Sequence, residues 1–288
     1  MRDLNYQLKQ LGQRNRDGGY ATQTKRAFLL SQIANQLREL GYRRMSATSL
    51  KQKHVEALVK HWLEQDLSPG TIKNRMSALR WWAQKVNKHS VIANRNDHYG
   101  IAQRQYFSKE SKAQDIGGEQ LARITDPCTR LSLRLQREFG LRREESIKFI
   151  AHYADRDGHL ELKPSWTKGG KARCIPIRTQ AQRQLLHEVV ALTGSGSLIP
   201  PDKSFIQQLR QYVRQVMNAG LSRMHGLRHQ YAQRRFQELA GFECPVAGGP
   251  ARQVLTPAQR QLDHEARRVI SRELGHEREQ ITTIYLGR

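Results

Sequence analysis

Four short segments of this chain gather side chains that can do chemistry. The first is Gly140-Leu141-Arg142-Arg143-Glu144-Glu145. The second is the turn Thr167-Lys168-Gly169-Gly170-Lys171, followed by Arg173-Cys174-Ile175-Pro176-Ile177. The third is His225-Gly226-Leu227-Arg228-His229, and the fourth is Leu274-Gly275-His276 with Thr282, Thr283 and Tyr285 behind it. Together they hold a phenol, arginines, lysines on a glycine turn, and histidines. This is a set for breaking a phosphodiester while conserving its energy. A phenol can displace the 5′ oxygen of a strand and give an ester that is readily reversed. Two arginines can grip the non-bridging oxygens as their charge grows, serving where a metal clamp otherwise would. A lysine on a flexible turn can protonate the leaving oxygen, and a histidine can take the phenol's proton or hold an oxygen. Both Lys168 and Lys171 sit in that turn, and either could be the donor.

Another use of the same residues is a metal site. His225 and His229 are four apart, and with His276 they could form a three-histidine zinc centre. No acid is placed beside them as a general base, and that reading leaves the arginines without a role.

The rest of the chain must position these groups, and its charge indicates on what. Among 288 residues, Lys and Arg number 49 against 26 Asp and Glu, a net charge of +23. The excess is spread along the chain: residues 1–110 hold 20 basic and 8 acidic side chains, and residues 111–288 hold 29 and 18. Two positive bodies suit a grip on a polyanion, where each phosphate contact releases counterions. A mean hydropathy of −0.74 and the lack of a long apolar run argue against a membrane span. Met1 to Gln10 is charged and amphipathic, unlike a secretory signal. Cys128, Cys174 and Cys244 show neither pairing nor metal spacing and fit a reducing cytosol.

Apolar periodicity predicts helices over 20–40, from Phe28, Leu29, Ile33, Leu37 and Leu40, and over 49–64. Ser68-Pro69 starts a third helix, with Ser as N-cap and Pro in the first turn. Its basic residues Lys73, Arg75 and Arg80 are candidate DNA contacts, as are Lys171 and Arg173. The period fades between His89 and Asp115, which reads as a linker. Beyond it, helices are expected at 118–125, 128–139, 143–150, 179–192, 203–218, 225–241, 257–273 and 277–286. Strands are expected near 160–162 and 172–177 around the glycine turn. The fold class is therefore mainly α (α+β) with a small antiparallel sheet.

In order and spacing the four segments resemble the catalytic boxes of the tyrosine recombinase (phage integrase) family, over residues 140–285. Matched position by position, the resemblance implies Arg142, Lys168, His225, Arg228, His276 and Tyr285 as the catalytic set. Glu145 and His229 fall at supporting positions. It also implies a helical core-binding domain at 1–107 and a catalytic domain at 108–288, closing as a clamp on double-stranded DNA. Further implications are a 3′-phosphotyrosyl intermediate without metal or nucleotide cofactor, and a homotetramer on synapsed sites. A role in integration or excision of a mobile element, or in DNA resolution, cytoplasmic and nucleoid-associated, with an accessory DNA-bending protein as a further partner, completes the expectation. The chain departs from compact members in two places. Residues 241–270 read as an insertion, and only three residues follow Tyr285 in place of the C-terminal helix that many relatives pass to a neighbouring subunit. Two other readings stand beside this one: a type IB-like topoisomerase with the same nucleophile, and a non-catalytic DNA-binding protein.

Overall fold

The computed structural model describes residues 3–104, 110–167, 169–276 and 279–288. It divides into two units, Met1–Gln105 and Tyr106–Arg288.

The first unit is a helical bundle of α1 (Asp3–Arg14), α2 (Tyr20–Glu39), α3 (Gln52–Glu64) and α4 (Pro69–Lys85). Leu30, Ile33 and Leu37 form the buried stripe of α2, and Val55, Leu58 and Trp62 that of α3. Two tryptophans fill the centre and both satisfy their indole N–H groups: Trp62 donates to Gln36 at 2.9 Å, and Trp82 to the Ala47 carbonyl at 2.8 Å. Ser68 caps α4 by accepting from Thr71 N, with Pro69 in the first turn. Two details differ from the periodicity. Phe28 is 62% exposed, because the buried stripe of α2 begins at Leu30. The charged N-terminal stretch forms α1, which buries only Leu4 and Leu8, too thin a stripe to stand out among its polar neighbours.

The second unit begins with α5 (Gly118–Ala122), α6 (Pro127–Phe139), α7 (Arg143–Ile147) and α8 (Ala151–Ala154). A two-stranded antiparallel sheet follows, β1 (His159–Leu162) with β2 (Arg173–Pro176), pairing Leu160 with Ile175 and Leu162 with Arg173. Then come α9 (Gln180–Thr193), α10 (Phe205–Asn218), α11 (Gly226–Ala240), α12 (Pro257–Glu273) and α13 (Thr283–Leu286). The main core joins Leu135 and Phe139 of α6, Tyr231 and Phe236 of α11, Ile270 of α12 and both strands. A second cluster packs Leu133 and Ile147 against Tyr212 and Val216 of α10.

Residues 257–270, within the stretch read as an insertion, pack as an integral part of the second unit. Ala266 and Ile270 of α12 enter the main core, the helix packs on α11 and β2, and Arg267 pairs with buried Asp263 and with the Gly287 carbonyl. Its apolar stripe is only two residues per two turns, hidden by a basic sequence. The irregular stretch is 241–256, with short 3₁₀ turns at Pro245–Ala247 and Arg252–Val254. Residues 279–282 form another 3₁₀ turn before α13, where one continuous helix was expected. No described helix is long and apolar enough to cross a membrane.

Candidate active site

The four segments converge in the second unit around one phenol. Tyr285 sits on α13, and its side chain borders a cleft of about 1890 Å³. The described lining holds seven arginine or lysine side chains, among them Arg142, Lys171, Arg252 and Arg272, against a single acid, Asp263. Such a cleft focuses positive potential on its floor, where a phosphate would bind.

His225 and Arg228 both reach the phenol oxygen. His225 Nε2 lies 3.2 Å from Tyr285 Oη, and Arg228 Nε donates to the same oxygen at 3.4 Å. The tyrosine ring is held between histidines: His276 stacks on it with centroids 5.3 Å apart, and His229 lies at 4.4 Å. Gln233, one helical turn beyond His229, donates to the Tyr285 carbonyl at 3.1 Å and to Ser111 at 3.0 Å. Tyr285 is thus fixed through its ring, its hydroxyl and its backbone.

The arginines are fixed as firmly. Arg228 is 1% exposed. Its two terminal nitrogens donate to the carbonyls of Gly140 and Leu274, leaving Nε toward the phenol. Burial lowers its pKa to about 10, so it stays charged at neutral pH. Arg142 N-caps α7, donates to Glu145 at 2.7 Å, and reaches the same Leu274 carbonyl at 3.2 Å. Arg173 makes two 2.7 Å bonds to the other side of Glu145. Burial opposes ionisation of Glu145, but the bonds and charge of Arg173, with the charges of Arg228 and Arg142, outweigh it and hold the carboxyl at about 2.

This geometry revises part of the sequence reading. Arg173, a candidate DNA contact, is among the cleft's lining residues, but its guanidinium is engaged by Glu145, because β2 turns it inward opposite Leu162. Arg80 likewise spends its guanidinium inside the first unit, donating to the Ala93 carbonyl and to Asn96. Arg75 lies over the Trp62 ring at 5.3 Å, with Nε and Nη1 buried. Lys73 is half-buried, and Lys171 borders the cleft. Lys168 lies outside the described residues. His225, His229 and His276 surround the phenol ring rather than a common point. Among the described residues no three His, Cys, Asp or Glu side chains are placed to hold a metal ion. Sequence reasoning missed the carbonyls of Gly140 and Leu274 as arginine anchors, since main-chain acceptors leave no residue-type signal. It also missed Gln233, whose amide resembles any other helical glutamine.

Two of the histidines make the fold acid-sensitive. Burial, then the charges of His225, Lys112 and Arg228, lowers His229 to about 4. Burial, then Arg228, Arg142 and Arg173, lowers His276 to about 3. Both stay neutral in the folded protein at a pH where the unfolded chain takes up a proton. Their contribution is therefore fully present above pH ~6.5 and falls as pH drops toward the folded values. Urea unfolding at pH 5 should give a stability on the order of 4 kcal/mol below that at pH 7, about half from each histidine, with a shallower slope in His229→Asn. Glu145, also lowered, adds to the loss only below about pH 4.5.

A family model described as the N-terminal part of phage integrase matches residues 1–91, and one described as integrase matches residues 106–234. The latter takes in the segments at Arg142 and Arg228 and stops short of Tyr285. No curated protein sequence matches the chain. Among solved structures, the fold is similar to a lambda integrase tetramer bound to a Holliday junction, with a TM-score of 0.62 and 15% identity over 98% of this chain and 78% of that one. It is also similar to the XerH site-specific recombinase in a post-cleavage complex with difH, with 0.59 and 18% over 99% and 81%. A third is the Tn1549 transposon integrase with circular intermediate DNA, with 0.56 and 15% over 97% and 94%.

Proposed function

Because the chain belongs to the tyrosine recombinase (phage integrase) family, enzymes that cut and rejoin DNA, we propose that Tyr285 is the nucleophile of a site-specific recombinase acting on a mobile element. The observation that carries this is the meeting of His225 Nε2 and Arg228 Nε on the one phenol oxygen. Tyr285 Oη attacks the scissile phosphorus, forming an oxygen–phosphorus bond as the bond to the 5′ oxygen breaks. The strand is left as a 3′-phosphotyrosyl ester and a free 5′ hydroxyl. His225 takes the phenol's proton; desolvation of its ring and the charges of Arg228 and Arg142 keep it neutral and able to accept. Arg142, Arg228 and His276 hold the non-bridging oxygens. Glu145 and His229 support them, the first by pinning Arg142 and the second by packing on the phenol ring. A lysine of the 167–171 turn, Lys168 or Lys171, protonates the leaving oxygen. Attack by a 5′ hydroxyl from a second duplex reverses the step and completes the exchange.

Both units engage double-stranded DNA in this reading. Four subunits pair two sites through a Holliday junction, by analogy with the lambda integrase tetramer bound to one. Work at the nucleoid in the cytoplasm, with an accessory DNA-bending protein, belongs to the same proposal. The test is a supercoiled plasmid carrying two copies of the element's end sequences, incubated with the protein in EDTA. Deletion or inversion products, with a junction intermediate on native gels, are the expected result. Relaxation of the plasmid without recombinants, indifferent to the end sequences, would favour the topoisomerase reading instead.

A further inference from the structure

Arg228 and Arg142 share one anchor, the carbonyl of Leu274, and Arg228 has a second, the carbonyl of Gly140. What holds those carbonyls in place is a separate question from what the arginines do. Gly140 ends α6 in the left-handed region, at φ +61°. A Cβ added there would lie 2.5 Å from Cδ1 of Tyr231, so the Tyr231 ring is packed directly beneath this anchor. The hydroxyl of the same tyrosine donates at 2.7 Å to Glu273 Oε2, the residue immediately before Leu274. Glu273 is 4% exposed and is held from its other side by Arg235 Nε at 3.1 Å. Arg235 in turn pairs with Glu238, which also takes Arg178.

We infer that Tyr231 is a positioning residue for the phosphate clamp, tying its two carbonyl anchors together through its ring under Gly140 and its hydroxyl on Glu273. Tyr231 touches neither the phenol nor a phosphate position; it acts through the main chain that aims Arg228 and Arg142. The inference rests on the reading above, in which those two arginines hold the scissile phosphate. Without the hydroxyl, Glu273 loses a fixed donor, and the end of α12 that carries the Leu274 carbonyl is left tied to α11 through Arg235 alone, with no link to the ring under Gly140. Displacement of a clamp by a fraction of an ångström to 1 Å costs up to about 10²-fold in rate.

The test compares wild type, Tyr231→Phe and Glu273→Leu in single-turnover cleavage of a nicked duplex carrying the element's end sequence. Each is assayed on an ordinary scissile phosphate and on a neutral methylphosphonate at the same position. The neutral centre has lost one of the charges that the arginines exist to balance, so its cleavage depends less on their aim. Expected on the phosphate is covalent-complex formation about 10- to 100-fold slower in Tyr231→Phe, with binding of uncut DNA within about 2-fold of wild type. On the methylphosphonate the gap should narrow to about 3-fold or less. An equal rate on the phosphate, or the same fold-defect on both substrates, would overturn the inference, the second outcome pointing to general loss of structure. Glu273→Leu removes the acceptor while leaving the Tyr231 ring in place, and carries the same comparison should Tyr231→Phe prove unstable in a thermal melt. If wild type itself forms no adduct, the functional reading fails and this inference with it; a normal wild-type adduct and an unimpaired Tyr231→Phe would remove the inference alone.

Discussion

Tyr285→Phe is expected to bind its DNA site within about 2-fold of wild type while recombination falls by at least about 10³-fold and no covalent complex forms. The substitution removes a single oxygen. The ring keeps its stacking on His276 and its contact with His229, and the Tyr285 carbonyl keeps the Gln233 bond. Only the hydrogen bonds to His225 and Arg228 are lost, which costs about 1 kcal/mol of stability. Activity therefore collapses without unfolding. Gel-shift titration beside a plasmid recombination assay measures both halves. Recombination in the Phe variant within about 10-fold of wild type would mean that another group attacks the phosphate.

Glu145→Ala should have the largest effect on stability. Its carboxylate is the common partner of Arg142 and Arg173, and the Arg173 side chain is only 6% exposed. Removing it leaves one guanidinium buried without a counter-charge and frees the other from its helix cap. Breaking a buried pair from one side costs about 3–5 kcal/mol. Urea unfolding at pH 7 should show a loss of that order, with cleavage reduced beyond what the unfolded fraction explains, because Arg142 is no longer aimed. Glu145→Gln, which keeps an acceptor without the charge, should fall between. A loss under about 1 kcal/mol in Glu145→Ala would mean that Arg173 finds solvent instead, and that the pair is not the keystone of the clamp.

Much of the architecture was legible because local chemistry and tertiary packing agree. Ser68-Pro69 starts α4 where cap preferences place it, with Thr71 N donating to the capping hydroxyl. Leu160 and Ile175 alternate inward on the small sheet. The four chemistry-bearing segments were found through residue type and order, and the fold brings the described ones to one phenol. What stayed hidden has a common cause, the ambiguity of arginine. Arg173, Arg80 and Arg142 look alike in a sequence of net charge +23. Arg173 and Arg142 share Glu145 at the edge of the cleft, the first buried and the second half-buried, while Arg80 ties a loop of the bundle. The basic face of α12 hid its core stripe in the same way, and the carbonyl anchors at Gly140 and Leu274 depend on backbone position alone.

The central claim is that Tyr285 becomes joined to DNA through a 3′ phosphate. Wild-type protein and a nicked suicide duplex bearing the element's ends, incubated in EDTA and digested with protease, allow the linked peptide to be identified by mass spectrometry. The account predicts a C-terminal peptide with a nucleotide 3′-phosphate on Tyr285 and a free 5′ hydroxyl on the released strand. An adduct on another residue, a linkage through the 5′ end, or cleavage that appears only when magnesium is added and leaves both ends free would contradict it.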